Sequence, residues 1–155
     1  MIVLITGNER HWDELVRQRF SQVMPDVAGR IVFLEKLSLM EYIGLNMVCD
    51  AVLDTFYFGG GNSSLEIFSA GVPIVSLPGK MLRGRITLAQ YRKMGIDDLI
   101  ARDPVHFTEL ALRLAQDKDW HRDMSALIEE RCPVLYNNKK PIEELRAFLR
   151  RECAR

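Results

Sequence analysis

Three consecutive glycines follow a short apolar run and lead directly into an amphipathic pattern, between Leu53 and Glu66. Glycine lets the backbone approach a ligand without an intervening Cβ atom, and the start of a helix offers unpaired N–H groups and the positive end of its dipole. A strand, a glycine turn and a helix in this order are typical of a parallel α/β fold whose turn binds an anion. The sequence therefore predicts a phosphate-binding turn at Gly59 to Ser64.

Short β-type runs alternate with helical patterns up to about residue 100, as in βα units on a parallel sheet. Five strands are predicted, at Ile2 to Ile5, Ile31 to Phe33, Ala51 to Leu53, Pro73 to Ser76 and Asp98 to Ile100. Pro25 predicts a turn after the first helix, and Gly95 predicts a helix C-cap. Only helical patterns follow the fifth strand, and the first of them is predicted to begin at Asp103-Pro104. We expect an α/β fold with a Rossmann-like open parallel sheet of about five strands in the order 2-1-3-4-5, with helices on both faces and a C-terminal helical extension.

Composition limits the class of protein. At 155 residues and 48% hydrophobic, the chain suits a single domain spanning residues 1–155. It carries 21 basic and 21 acidic side chains, so no net charge draws it to nucleic acid or to a membrane surface. The cysteines Cys49, Cys132 and Cys153 form no C-x-x-C pattern, and the histidines share no metal-ligand spacing. We expect a cytoplasmic protein that has no metal site and binds no nucleic acid or membrane.

Two common nucleotide motifs are missing. The segment Thr6 to Arg10 after the first strand has one glycine where a dinucleotide fingerprint needs three, and no G-K-[ST] motif of a P-loop occurs. Asp54 ends the third strand, as the phosphoacceptor of a response-regulator receiver does. The acidic pair and the lysine that a receiver also needs are not found at the matching places, so a receiver is disfavoured.

Glu66 has two interpretations from its spacing alone. The run Ser63-Ser64-Leu65-Glu66 matches the capping box S-x-x-E, in which Glu66 only reaches back to the first N–H of its own helix. A carboxylate one turn into a helix below a phosphate turn can instead accept hydrogen bonds from ribose hydroxyls. The residue types do not decide between the two.

From about Arg30 to Leu149 the chain resembles the C-terminal, nucleotide-sugar-binding lobe of the O-GlcNAc transferase/SPINDLY family of glycosyltransferases. The set of matching segments is specific, although each segment alone would be weak. These segments are Arg30 to Phe33, Cys49 to Thr55, the turn into Glu66, Ala70 to Gly79, the residues Arg85, Gln90 and Gly95, and Asp98 to Ala101.

The resemblance implies one lobe of a GT-B fold, which would bind a nucleotide sugar, by family implication a UDP-sugar, for metal-free, inverting transfer to Ser or Thr of a protein acceptor. It places the donor diphosphate at the turn and the ribose at Glu66. It also places the nucleobase against Tyr42 and the backbone near Leu37, although Tyr42 can equally be a core helix residue. The implied diphosphate positions are Gly60, Gly61, Asn62, Ser63 and Ser64.

The chain also departs from the family pattern. The family usually carries His and Thr where Gly61 and Asn62 stand, and it supplies a diphosphate-binding lysine from a strand–helix unit that would precede Met1. The N-terminal lobe, with the acceptor groove, has no counterpart here. We therefore expect no catalytic residue in this chain, weak nucleotide affinity and no transfer by the chain alone, because a closed, water-excluding cleft cannot form.

Two further expectations concern partners. A non-catalytic interaction or regulatory domain that keeps the fold but has lost donor binding is the alternative function. The apolar stripes of the last helices exceed what a truncated sheet can cover, which predicts self-association or a missing partner segment.

Overall fold

A computed structural model describes residues 1–7 and 10–153 of the chain. The chain divides into two compact units, Met1–Gly44 and the part from Leu45 onward. Asn8 and Glu9, in the predicted loop after the first strand, lie outside the described residues.

The first unit is built on one pair of parallel strands. Strands β1 and β2 pair in register, with Ile2 opposite Ile31 and Leu4 opposite Phe33. The ring of Phe33 on β2 packs edge-on against Phe20 at 6.5 Å between centroids. The elements of this unit are β1 (Ile2–Ile5), α1 (Arg10–Val23), α2 (Pro25–Ala28), β2 (Ile31–Leu34) and the beginning of α3 (Leu39–Val48).

The second unit contains the glycine turn and most of the helices. Its elements are β3 (Val52–Leu53), α4 (Asn62–Ser69), β4 (Ile74–Val75), α5 (Ile86–Met94), α6 (Pro104–Gln116), α7 (Lys118–Arg131) and α8 (Lys140–Cys153), with short 3-10 turns at Leu82–Gly84 and Cys132–Leu135. Strands β3 and β4 are parallel, and Val52 lies opposite Ile74.

The structure confirms an α/β fold but not one five-stranded sheet. The described residues form two separate parallel pairs, β1 with β2 and β3 with β4, and the β1–β3 pairing that the order 2-1-3-4-5 requires is not among them. The predicted fifth strand is reduced to one parallel bridge between Ser76 and Ile100. The continuous sheet, its complete order and helices on both faces stay predictions.

Tyr91 explains why the fifth strand is so short. The Tyr91 hydroxyl accepts a hydrogen bond from the Ile74 N–H at 2.9 Å and donates one to the Ile74 carbonyl at 2.8 Å. The carbonyls of Pro73 and Val75, on either side of Ile74, accept hydrogen bonds from the β3 side. The N–H and carbonyl of Ile74 therefore point to the other side of β4, where a fifth strand would pair. A side chain therefore occupies the position of a strand. Complete burial raises the pKa of this phenol, which keeps it neutral.

The core of the second unit lies where the sheet edge meets the helices. Phe68 and Tyr91 are fully buried, and their rings meet edge-on at 4.8 Å between centroids. Leu114 on α6 and Ile128 on α7 are also fully buried. No helix within residues 1–7 and 10–153 combines the length and the apolar character that a membrane crossing needs.

Helix ends follow the sequence signals closely. Gly95 ends α5 in the left-handed conformation, with φ at 70°, as the sequence predicts for a C-cap glycine. The Asp103 side chain caps α6 by accepting a hydrogen bond from the His106 N–H at 2.8 Å, and this bond lowers the pKa of Asp103. Pro25, predicted to force a turn, instead opens the short helix α2, which agrees with the preference of proline for a first helical turn.

Candidate functional site

The predicted phosphate-binding turn connects β3 to α4 within the second unit, and Asp54 anchors its first half. Asp54 follows β3 directly and is only 9% exposed. One of its carboxylate oxygens accepts a hydrogen bond from the Gly60 N–H at 2.9 Å, and the other accepts one from the Ser76 hydroxyl at 2.8 Å. Asp54 therefore ties the glycine turn to the end of β4.

Contacts inside the protein require two of the three glycines. A Cβ atom on Gly59 would lie 2.9 Å from both carboxylate oxygens of Asp54, and one on Gly60 would lie 2.1 Å from the Ser64 hydroxyl oxygen. A Cβ atom on Gly61 would only come into ordinary van der Waals contact with the Ile86 side chain, at 4.0 Å, so it would cause no clash. The close backbone approach at Gly59 and Gly60 serves the packing of the turn, whereas Gly61 makes no such close approach.

The turn is also fastened to α5. Ser64 is 2% exposed, and its hydroxyl lies 3.2 Å from the hydroxyl of Thr87. The Gln90 amide donates a hydrogen bond to the Gly61 carbonyl at 3.3 Å. The Ser64 hydroxyl is thus engaged inside the protein, and only the backbone N–H of Ser64 remains to be offered to a ligand.

The start of α4 presents a group of unpaired amides. The helix begins at Asn62 with Gly61 as its N-cap, and no side chain caps it. Within the described part of the chain, the N–H groups of Asn62, Ser63 and Ser64 have no acceptor, and the first amide that bonds back is that of Leu65, to the Gly61 carbonyl at 3.3 Å. Three free amides at the positive end of a helix have the donors and the dipole that suit an anion.

The capping-box interpretation of Ser63 and Glu66 is wrong. Because α4 begins at Asn62, Ser63 is the second residue of the helix and cannot act as its N-cap. The Glu66 carboxylate is half-buried and has no hydrogen-bond or ion-pair partner in residues 1–7 and 10–153. An unengaged carboxylate one turn beyond the free amides is suited to accept hydrogen bonds from the hydroxyls of a ligand.

The capping box that the structure does contain lies in the first unit, at the start of α3. The Glu41 carboxylate accepts hydrogen bonds from the Ser38 N–H at 2.8 Å and from the Ser38 hydroxyl at 2.7 Å, while the Glu41 N–H points back to the Ser38 hydroxyl at 3.4 Å. The hydroxyl bond, followed by the amide bond, lowers the pKa of Glu41. The same S-x-x-E pattern could have revealed this box in the sequence.

The two residues predicted to contact the base lie beside this box. Leu37 is half-buried just before α3, and Tyr42 is half-buried within it, with its N–H bonded to the Ser38 carbonyl at 2.9 Å. Both belong to the first unit, whereas the glycine turn belongs to the second. That all of them contribute to one nucleotide site remains a prediction.

A second loop is bonded to the glycine turn. The Gly59 N–H donates to the Arg83 carbonyl at 2.8 Å, and the Gly79 N–H donates to the Gly84 carbonyl at 3.0 Å. The exposed Arg85 guanidinium donates one hydrogen bond, to the Gly79 carbonyl at 3.1 Å. Arg85 therefore brings a positive charge with further free donors to the loop that supports the turn.

Sequence reasoning missed the residues that shape this turn. The sequence assigns Asp54 to a family-matching segment and weighs it as a phosphoacceptor, but it does not predict its bonds to the turn, and it does not single out Thr87. The available signal was a polar side chain at a position where the pattern faces the interior: Asp54 directly after a strand, and Thr87 next to the buried Leu88 of α5. Within the described part of the chain, no group of three or more His, Cys, Asp or Glu could hold a metal ion.

Comparison with known proteins gives consistent relatives. Residues 11–145 match the model of glycosyl transferase family 41. The chain is 28% identical over 100 residues to a Caenorhabditis elegans UDP-N-acetylglucosamine–peptide N-acetylglucosaminyltransferase, covering 64% of this chain and 9% of that protein. It is also 28% identical over 106 residues to a Solanum lycopersicum protein named as a probable UDP-N-acetylglucosamine–peptide N-acetylglucosaminyltransferase, SPINDLY. That match covers 66% of this chain and 11% of that protein.

A solved structure supports the fold. A mutant of the Thermobaculum terrenum O-GlcNAc transferase superposes with a TM-score of 0.79 at 23% identity, covering 96% of this chain and 29% of that chain. The chain spans about a tenth of the length of the curated relatives it matches. Because the family model covers most of the sequence, the chain belongs to glycosyl transferase family 41.

Proposed function

We propose that this chain is the nucleotide-sugar-binding part of a protein O-glycosyltransferase, folded as one C-terminal-type lobe of a GT-B enzyme over residues 1–155. The family match and relatives named for UDP-N-acetylglucosamine and peptide substrates support a UDP-sugar donor and a protein acceptor. The three free cysteines Cys49, Cys132 and Cys153 are consistent with a reducing, cytoplasmic location.

One observation carries this proposal. The free amides of Asn62, Ser63 and Ser64 stand one helical turn before the unengaged carboxylate of Glu66. A nucleoside diphosphate has the matching chemistry, because its phosphates are acceptors and its ribose hydroxyls are donors. We assign the diphosphate to the free amides of the turn that follow Gly61, and the ribose to Glu66.

The remaining contacts are assigned by the resemblance. Tyr42 would pack against the nucleobase, and the backbone at Leu37 would bind its edge. Arg85 is a second source of positive charge for the phosphates, since it has donors left over after its bond to Gly79.

We propose that the chain binds the donor without transferring the sugar. Transfer needs a groove for the acceptor and a cleft that excludes water from the leaving group, because electrostatic stabilisation is strongest in a low-dielectric site. A chain that spans about a tenth of its curated relatives supplies at most one wall of such a cleft. The remaining lobe of a complete enzyme is the partner that this proposal requires.

Titration with UDP and with GDP by calorimetry or by amide NMR tests the binding role. We expect UDP to bind with a dissociation constant on the order of 1 mM, and Glu66→Ala to weaken it about 10-fold, the worth of one charge-assisted hydrogen bond. Glu130→Ala, which removes an exposed carboxylate from α7, is the matched control and should bind like the wild type. Equal affinities for wild type and Glu66→Ala would remove Glu66 from the site.

The alternative function is a non-catalytic interaction or regulatory domain, and one observation favours it. The Gly60 N–H already donates its hydrogen bond to Asp54, so it is not free for a ligand. The Asp54 carboxylate is nearly buried next to the turn. That charge opposes a diphosphate at the same place. An absence of NMR shifts at Gly61 to Ser64 with several millimolar UDP and GDP would favour this second function.

A further inference from the structure

Gln90 on α5 carries an amide of which only one half is used by the protein. Its nitrogen donates a hydrogen bond to the Gly61 carbonyl at 3.3 Å, whereas its oxygen is buried and has no hydrogen-bond partner within the described part of the chain. A buried acceptor without a donor destabilises a fold. A side chain that is retained in spite of such a defect is typical of a functional site.

The Gly61 carbonyl belongs to the same peptide group as the Asn62 N–H. This carbonyl accepts two hydrogen bonds, from the Gln90 amide and from the Leu65 N–H, each at 3.3 Å. A hydrogen bond accepted by the carbonyl of a peptide group withdraws electron density from its nitrogen, so the N–H at the other end becomes a stronger donor. The Asn62 N–H is one of the three free amides at the start of α4.

The other two free amides lack this second bond. The N–H groups of Ser63 and Ser64 share their peptide groups with the carbonyls of Asn62 and Ser63, which lie inside α4. Within the described residues, neither of these carbonyls accepts a hydrogen bond from a side chain, whereas the Gly61 carbonyl does. The Asn62 N–H is therefore the most strongly polarised donor of the three.

We propose that Gln90 is a positioning residue for the diphosphate. Through the Gly61 carbonyl it orients and polarises the Asn62 N–H, which makes Asn62 the strongest phosphate donor of the turn. Gln90 acts through this one peptide group and does not itself touch the ligand. The inference rests on the proposed function, because that function assigns a diphosphate to these amides.

Amide NMR of the nucleotide-free chain tests the action of Gln90 on the turn. Gln90→Met keeps the length of the side chain and removes its donor, so the Asn62 nitrogen resonance should move upfield, and further than those of Ser63 and Ser64. Gln116→Met, at an exposed glutamine that ends α6, is the matched control and should leave all three resonances in place. An Asn62 resonance that does not move in Gln90→Met would overturn the proposal.

Titration with UDP tests the effect on binding. In the wild type, the Asn62 amide proton should shift most among the three free amides. Gln90→Met should weaken the affinity about 3-fold, because one charge-assisted hydrogen bond loses part of its strength, whereas Gln116→Met should bind like the wild type. A largest shift at Ser63 or Ser64, or equal affinities for wild type and Gln90→Met, would overturn the proposal.

Stability separates this role from a purely structural one. Because Gln90→Met also removes the unpaired buried oxygen, the urea midpoint should not fall below that of the wild type. A lower midpoint, with shifts spread throughout the turn, would show that Gln90 only supports the fold and would overturn the proposal.

Failure of the proposed function would look different. A wild-type chain that does not bind UDP would refute the donor site itself. The Asn62 resonance in the nucleotide-free Gln90→Met variant would then still decide whether Gln90 acts on that amide.

Discussion

At the scale of single residues, Asp54 does the most to define the candidate site. Its carboxylate holds the Gly60 amide and the Ser76 hydroxyl, and the backbone of Gly59 passes directly against it. The three glycines that signalled a ligand-binding turn thus divide into two roles. Gly59 and Gly60 allow the turn to pack, whereas the surroundings of Gly61 would accept a Cβ atom without a clash.

This division predicts unequal effects of alanine in the turn. Gly60→Ala would force the Ser64 hydroxyl out of its contact with Thr87 and should lower the free energy of unfolding by about 1–3 kcal/mol. Gly61→Ala should cost less than about 1 kcal/mol, since its Cβ would make only an ordinary van der Waals contact with Ile86. Urea denaturation measures both.

A double-mutant cycle tests whether the clash with the Ser64 hydroxyl is the reason that Gly60→Ala loses stability. In a Ser64→Ala background the clashing oxygen is gone, so Gly60→Ala should cost clearly less than it does in wild type. If the cost of Gly60→Ala is the same in both backgrounds, the contact with Ser64 is not its source.

At the scale of secondary structure, the sequence predicted elements that have strong local signals. β1 was placed with its observed bounds, and the cap at Gly95 and the proline-opened α6 were found because each depends on one residue type at one position. The predicted fifth strand is longer than the observed bridge. The backbone groups of Ile74 with which it would pair are bonded instead to Tyr91, a residue of a later helix that strand patterns do not reveal. The turn was located correctly, but the network of Asp54, Ser64 and Thr87 that shapes it is tertiary and leaves little local pattern.

Tyr91→Phe tests whether the Tyr91 hydroxyl stabilises the protein by bonding the backbone groups of Ile74 that a fifth strand would otherwise pair with. Loss of the hydroxyl leaves the buried N–H and carbonyl of Ile74 without their partner and should lower the free energy of unfolding by about 1–3 kcal/mol. Tyr57→Phe, at a tyrosine that is 84% exposed, should change it by less than about 0.5 kcal/mol. Similar values for the two variants, measured by urea denaturation, would mean that Tyr91 contributes through its ring alone.

At the scale of the whole molecule, the chain belongs to a glycosyltransferase family while spanning about a tenth of its curated relatives. We therefore expect the chain to bind nucleotide without transferring a sugar. We expect that the chain with UDP-N-acetylglucosamine and peptide acceptors gives no glycosylated product above the protein-free rate, while nucleotide titration still shifts the amides of Gly61 to Ser64. Product formation that disappears in Glu66→Ala would instead show that one lobe is sufficient for catalysis.

The carboxylate behind the turn has a consequence for the order of events in a complete enzyme. The Asp54 carboxylate is bonded to the Gly60 N–H, at the start of the turn proposed for the diphosphate. A nucleotide sugar carries less negative charge than the free nucleotide left after transfer, because the sugar caps the terminal phosphate. If the turn binds the diphosphate as proposed, repulsion from the Asp54 carboxylate penalises the spent nucleotide more than the incoming donor, and we expect it to favour product release.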